Sequence, residues 1–353
     1  MLIGRPIIVF LLLLLPAPLY AHMRWFVNPS TIDTGVAYSM DAVSITVLAG
    51  ALLFCGSAIL VHRFGATWSI TKWVVRFSKR TDFAEWRAIS VLSGVMLLIN
   101  AVSGVFLAPN LSYTHPFMQV VGSAAQGFLG LLLVLQVSFI LSGLLILGAL
   151  LMALLTFGPL LMLDYLFEFT ALGAALMVIG PRLTKLDQGL APHFGLTEDK
   201  QGDLALPIIR IGTGLTLCVL AVHNKLGNPA FVQAFLDHQD LNFMAALGFS
   251  NFTDLNFGFS AGIAEFSLGA LLIFGVATRF TTCVLAFFFV CTLVVIGPTE
   301  LVGHAPLFGI AALLVIEGAG SWSTQTQGRK FRLGAVLVVG AVMLAGVLAL
   351  TSG

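Results

Sequence analysis

Residues 139–157 read FILSGLLILGALLMALLTF, without a charged side chain from end to end. A helix over that stretch rises about 28 Å at 1.5 Å per residue, close to the ~30 Å hydrocarbon thickness of a bilayer. Apolar segments of similar length lie on either side, at 42–62, 88–107, 119–136, 160–180, 206–225, 259–276, 279–297, 304–320 and 333–351. The expected fold is all-α: a polytopic membrane helix bundle of about ten transmembrane helices. Composition agrees. Of 353 residues 58% are hydrophobic and 9% charged, with mean hydropathy +1.01. Soluble domains carry roughly a quarter charged residues. A net charge of +1 is uninformative about nucleic acid, which is not expected as a partner.

Residues 1–21 have the layout of a signal peptide: Arg5, an apolar run from Ile7 to Leu15, then Pro16-Ala17-Pro18 ahead of Ala21. The alternative is an uncleaved anchor, but the apolar run is short for a span. Residues 22–41 follow as an extracytoplasmic segment. With that end outside, every lysine and arginine beyond Arg5 falls on the inner side except Arg24 and Lys225. Basic residues resist translocation, so this asymmetry places both termini of the mature chain outside a bacterial inner membrane. After the first span, the inner segment 63–87 alternates Ile70, Trp73, Val74 and Phe77 with Lys72, Arg76, Lys79 and Arg80. It reads as an amphipathic helix on the cytoplasmic leaflet.

Gly158-Pro159, which ends the opening stretch, recurs as Gly297-Pro298. Residues 124–159 align with 263–298 without a gap, pairing Gly130 with Gly269 and Gln126 with Glu265. Upstream, Arg87 pairs with Arg210, Asn100 with His223 and Gly104 with Gly227. Downstream, AALMVIG (174–180) echoes AALLVIEG (311–318). Two parallel four-helix repeats are expected, at 88–180 and 206–320, joined by a cytoplasmic linker at 181–205 and followed by a loop and last span at 321–353. The second repeat holds acids and imidazoles where the first holds amides, so the site is expected there.

The second repeat, RIGTGLTLCVLAVHNKLGNP (210–229), then GIAEFSLGALLIFGVATR (262–279) and ELVGHAPLFG (300–309), resembles the DoxX family of four-helix membrane proteins. Residues 88–180 are a degenerate second copy of the pattern. The resemblance implies quinone-coupled redox chemistry, with an extracytoplasmic electron donor or a partner subunit, and quinone as the cofactor. The duplication, signal peptide and flanking helices depart from the family pattern.

Glu265 falls about six residues into an apolar segment entering from the outer side, roughly 9 Å deep at 1.5 Å per residue, where a carboxylate must be paired, protonated or in a wet cavity. His223 and Lys225 end the preceding span, and Glu300 and His304 bracket the last outer turn. A quinol-oxidising site needs a base beside a flat apolar slot. Glu265, His304 and His223 are the catalytic candidates, and Lys225, Glu300, Phe231 and Phe235 the cofactor-binding ones. A plainer reading makes Glu265 and Lys225 a structural ion pair and the phenylalanines interface residues. Asp164 and Glu168, four apart on one helical face, either extend the polar pathway or cap within the bundle. Histidines favour the outer side, and His22, the residue after the cleavage point, with His223 and His304 is the candidate copper set; a haem between His223 and His304 is a further arrangement. Metal or small-solute transport, and a non-catalytic assembly role, are therefore alternatives to redox chemistry. Arg210 and Arg279 read as snorkelling anchors, and Asn228-Pro229 as the start of a surface helix. The four cysteines form no CxxC pair, and the chain has no Walker, dinucleotide, serine-elbow or c-type haem motif.

Overall fold

The computed structural model describes residues 35–65, 72, 83–196, 202–239, 241–296, 298–321 and 329–351. The stretch read as a signal peptide, His22 and nearly all of the basic segment between α1 and α2 lie outside the described residues. The helices are α1 (Ala42–Phe64), α2 (Ala84–Val102), α3 (Pro116–Val134), α4 (Phe139–Phe157), α5 (Pro159–Leu183), the short α6 (Lys185–Leu190), α7 (Ala205–Leu220), α8 (Pro229–Gln239), α9 (Asp254–Phe274), α10 (Thr278–Ile296), α11 (Pro298–Glu317) and α12 (Arg329–Thr351). Ten of these fall on the ten apolar segments. Among the described residues, eight helical stretches are long and apolar enough to cross a membrane, and α10 and α11 hold shorter apolar runs, Thr278–Val294 and Val302–Glu317. Large apolar side chains such as Leu53, Val102, Leu155, Leu160 and Val294 face outward, which suits acyl chains and not water. The bundle is compatible with an integral membrane protein.

The helix ends follow from local chemistry. Ser138 caps α4 by accepting from the Leu141 N–H, and Thr253 and Asn256 close a reciprocal capping box at the start of α9. That box starts α9 at Asp254, ahead of the apolar segment at 259. Glu265 therefore lies eleven residues in, about 16 Å along the helix, deeper than the apolar segment alone suggests.

The two units read in the sequence, 88–180 and 206–320, each hold two packed helix pairs. Within the first unit α2 packs along α3 and α4 along α5; within the second α7 packs along α9 and α10 along α11. Beyond that the units interlock. The fourth helix of the first unit, α5, packs along α7, the first of the second, and α11 packs in the same way along α2. Glycines permit these approaches: Gly212 faces Ala171 where α7 meets α5, and Gly309 faces Ile89 where α11 meets α2.

Arg87 and Arg210 mark one end of the bundle. Arg87 donates to Gln136 Oε1 at 2.8 Å and to the Leu183 carbonyl at 3.1 Å. Arg210 donates to the carbonyls of Ile273 and Ala319, each at 2.9 Å, and to that of Leu272. Each arginine thus ties the ends of the second and fourth helices of its own unit. The surface-anchor reading fails for Arg210, which is fully buried and whose donors serve the unpaired carbonyls of neighbouring helix ends. Arg279 likewise donates to the carbonyls of Val315, Ile316 and Glu317 at the end of α11.

Candidate functional site

The site is built at the other end of α7. Past Leu220 this helix widens into a π turn, Ala221–Leu226, in which the Gly227 N–H donates to the Val222 carbonyl at 2.8 Å. The wider turn shifts the helical phase, and such turns recur at functional sites. Here it presents three successive polar residues, His223, Asn224 and Lys225, of which the last two are buried.

Lys225 Nζ donates to Glu265 Oε2 at 2.6 Å, and the pair is sealed, with side-chain exposures of 2% and 0%. A short glycine-lined approach makes this reachable: a side chain at Gly262, one turn before Glu265, would collide with Leu226 and the Lys225 stem. Glu265 Oε1 is buried and accepts no hydrogen bond among the described residues. Tyr38, ahead of α1, covers the turn by donating its hydroxyl to the Lys225 carbonyl at 3.0 Å. Burial pushes the Tyr38 phenol far above its ordinary value, so it remains a donor.

The first unit contributes through α5. Asp164 Oδ1 lies 2.7 Å from His223 Nδ1, and Asp164 Oδ2 accepts from Asn224 Nδ2 at 3.1 Å. Asp164 is buried, whereas the His223 side chain is 25% exposed. One turn along α5, Glu168 is also buried. His304, on α11, stacks on Phe289 with ring centroids 5.5 Å apart, and lies near enough to both Glu168 and Glu265 for its charge to act on each. Asp164 and Glu265 are likewise within electrostatic reach. The cluster of Asp164, Glu168, His223, Asn224, Lys225, Glu265 and His304 therefore sits on the seam between the units.

Of the expected site residues, Glu265, Lys225, His223 and His304 are brought together. Phe231 and Phe235 are both fully buried on α8, whose buried face also carries Ala230, Val232 and Leu236 and which packs against α9 and the π turn. The Asn228-Pro229 start is as expected, with Asn228 Oδ1 accepting from the Phe231 N–H, but the helix is seated on α9. Glu300 falls in α11 and its side chain is outside the described residues, as is His22. Among the described residues, no group of three or more His, Cys, Asp or Glu side chains is arranged to hold a metal ion. Sequence reading did not find Asn224 or the π turn, since AVHNKL carries no signature of a widened helix.

In the first unit the counterpart positions hold a neutral network. Gln126 Nε2 donates to the carbonyls of Leu97 at 3.2 Å and Val105 at 3.0 Å, and Oε1 accepts from the Leu107 N–H at 2.5 Å. Asn100 donates to the Leu107 carbonyl at 2.9 Å. These amides satisfy the backbone of the loop after α2, a structural use. Comparison of the chain with protein-family models, with curated proteins and with solved structures gives no match.

Proposed function

We propose that the chain is an integral inner-membrane protein that binds and releases protons at the seam cluster, and that it serves as a quinone-linked redox component of the DoxX-like kind. The observation that carries the proton reading is the buried Glu265–Lys225 pair, with its second carboxylate oxygen accepting no hydrogen bond among the described residues and His304 within electrostatic range. Asp164, Glu168 and Glu265 bring three carboxylates against one ammonium. In a low-dielectric interior a group of that composition approaches neutrality only with two further protons, carried on its imidazoles or carboxyls. Acid–base residues of this kind are what a reaction that takes up or discharges protons requires.

The quinone part rests on the DoxX resemblance. An apolar groove between α1, α9 and α10, bordered by Val47, Phe54, Ser260, Ile263, Ser267 and Phe288, suits a flat ring or an isoprenoid tail. It takes the 260–263–264–267–268 face of α9, while Glu265 lies off that stripe and points to Lys225. The groove and the cluster are separate features, so no proton step is routed from one to the other. The location of the cluster between two repeats favours a second reading, proton-coupled transport of a small solute, since transporter sites occupy such seams.

Infrared difference spectra between acidic and neutral buffer test the proton reading on purified protein. Protonated-carboxyl bands are expected, one of which disappears in Glu265→Gln. An unchanged spectrum in that variant overturns the reading. Quinone extraction and a membrane quinone-reduction assay distinguish the quinone-linked reading from proton-coupled transport.

A further inference from the structure

The cluster is closed on nearly every side, which raises the question of where its protons enter. Asp164, Glu168, Lys225, Glu265 and His304 are buried. His223 is the exception: its side chain is 25% exposed while its Nδ1 is held 2.7 Å from the sealed Asp164 carboxylate. It therefore has one ring nitrogen committed inward and a ring edge reaching the surface. An imidazole with that placement accepts a proton on one nitrogen and releases one from the other, the chemistry of a shuttle. Asn224 holds the second oxygen of Asp164 and fixes the carboxylate's orientation.

We infer that His223 and Asp164 form the port through which the seam cluster exchanges protons with the aqueous phase, an inference that rests on the proton reading above. A proton taken up at the surface edge of His223 is matched by one leaving Nδ1 for Asp164 Oδ1. Return runs through the same two groups in reverse, so no oxidant or co-reactant is needed. The port spans the two units, because Asp164 comes from α5 and His223 from the π turn after α7.

The charged groups on the elements packed around the turn are few. On α5 they are Asp164 and Glu168, with Arg182 in its last turn bound to Asp203; on α9, Glu265, with Asp254 at its start bound to Asn242; on α11, His304, with Glu300 in its first turn and Glu317 at its end. Asp237 of α8 is bound to Gln233 on the exposed side of that helix. Basic residues of α12 belong to its first turn, whereas Gly346, near its other end, is the residue that meets Ile263 of α9. His238, beside Asp237 in the last turn of α8, is exposed, and among the described residues none of these groups offers a second imidazole joining surface and interior.

The test follows the protonated-carboxyl band of the full chain after rapid transfer into deuterated buffer. His223→Phe is expected to slow the shift of that band by on the order of tenfold or more, the scale of a lost acid–base group, while its equilibrium titration persists. His223→Gln, which preserves a hydrogen bond to Asp164 but cannot relay a proton, is expected to slow it as well, and serves if the phenylalanine variant does not fold. Wild-type exchange rates in a folded variant overturn the port. A band missing from the wild-type protein overturns the proton reading itself, and the two failures are distinguishable.

Discussion

Gly214 on α7 and Gly269 on α9 are packed so closely that each occupies the place of the other's missing side chain. A Cβ on Gly214 would lie 2.7 Å from the Gly269 carbonyl oxygen, and one on Gly269 would lie 2.6 Å from that of Gly214. Gly94 and Gly130 stand in the same reciprocal relation between α2 and α3, at 2.7 and 2.9 Å. Backbone cannot retreat as a flexible side chain can. Gly269→Ala is therefore expected to force the helices apart and destabilise the protein by about 1–3 kcal/mol in detergent unfolding. Gly148 and Gly340 have open space around the same atom. Gly148→Ala should be neutral or stabilising by up to about 1 kcal/mol, through helix propensity alone. Equal losses in both variants would show that crowding is not the cause.

The Lys225–Glu265 pair makes a second prediction about stability. Removing one partner leaves a sealed charge without its counter-charge, so Lys225→Met is expected to cost about 3–5 kcal/mol. Adding Glu265→Leu to that variant removes the orphaned charge and should recover most of the loss. Thermal unfolding of the two single variants and the double variant gives the coupling directly. Additive losses would mean that the two groups do not depend on each other. The double variant is also expected to lose the carboxyl band assigned to Glu265, which separates holding the fold from binding a proton.

How much of this was legible in the sequence differs by residue. Helix positions follow from apolar length, which is why α4 falls on 139–157 as read. Glu265, Lys225, His223 and His304 stand out because charge in an apolar segment is costly wherever it occurs. The pairing of Arg87 with Arg210 was visible, and their shared task of holding helix ends gives it a cause. By contrast, the Asp164–His223 bond depends on α5 of one unit packing along α7 of the other, and no local pattern encodes that interlock. Phe231 and Phe235 carry no such distinction: aromatic content marks both slots and cores, and full burial on α8 fits either. The depth of Glu265 was missed because Asp254 and Asn256 are polar yet belong to the helix, drawn in by the capping box.

Asp41 ties α1 to the second unit and gives a pH dependence. It caps α1 by accepting from the Ser44 N–H at 2.7 Å, and its two oxygens take the Asn256 amide of α9 at 3.3 and 3.4 Å. Burial acts to raise its pKa but is outweighed by hydrogen bonds from Ser44, Ser39 and Asn256, which hold the carboxyl below the ordinary carboxylate range. A group depressed by folding stabilises the native state above its unfolded pKa, and that contribution is lost as pH falls through the folded value. Asp41→Ala is expected to cost about 1 kcal/mol at neutral pH, and the gap from wild type should close under acid conditions. A gap that persists in acid would point to lost packing in place of lost charge.

Gln126 tests why the first unit has amides where the second has ionisable groups. Its two donors serve the carbonyls of Leu97 and Val105, and its oxygen serves the Leu107 N–H. In Gln126→Glu an ionised carboxylate still accepts from Leu107 but turns its other oxygen toward two carbonyls, all of them acceptors. The expected loss is about 1–3 kcal/mol at neutral pH. Acid should restore part of it, since a protonated carboxyl donates to one of those carbonyls. Gln126→Met, which has neither donor nor strong acceptor, should show no such recovery. If Gln126→Glu is as stable as wild type at neutral pH, the loop after α2 does not depend on that network. The first unit could then accept a second carboxylate without rearrangement, and its amide would need another explanation.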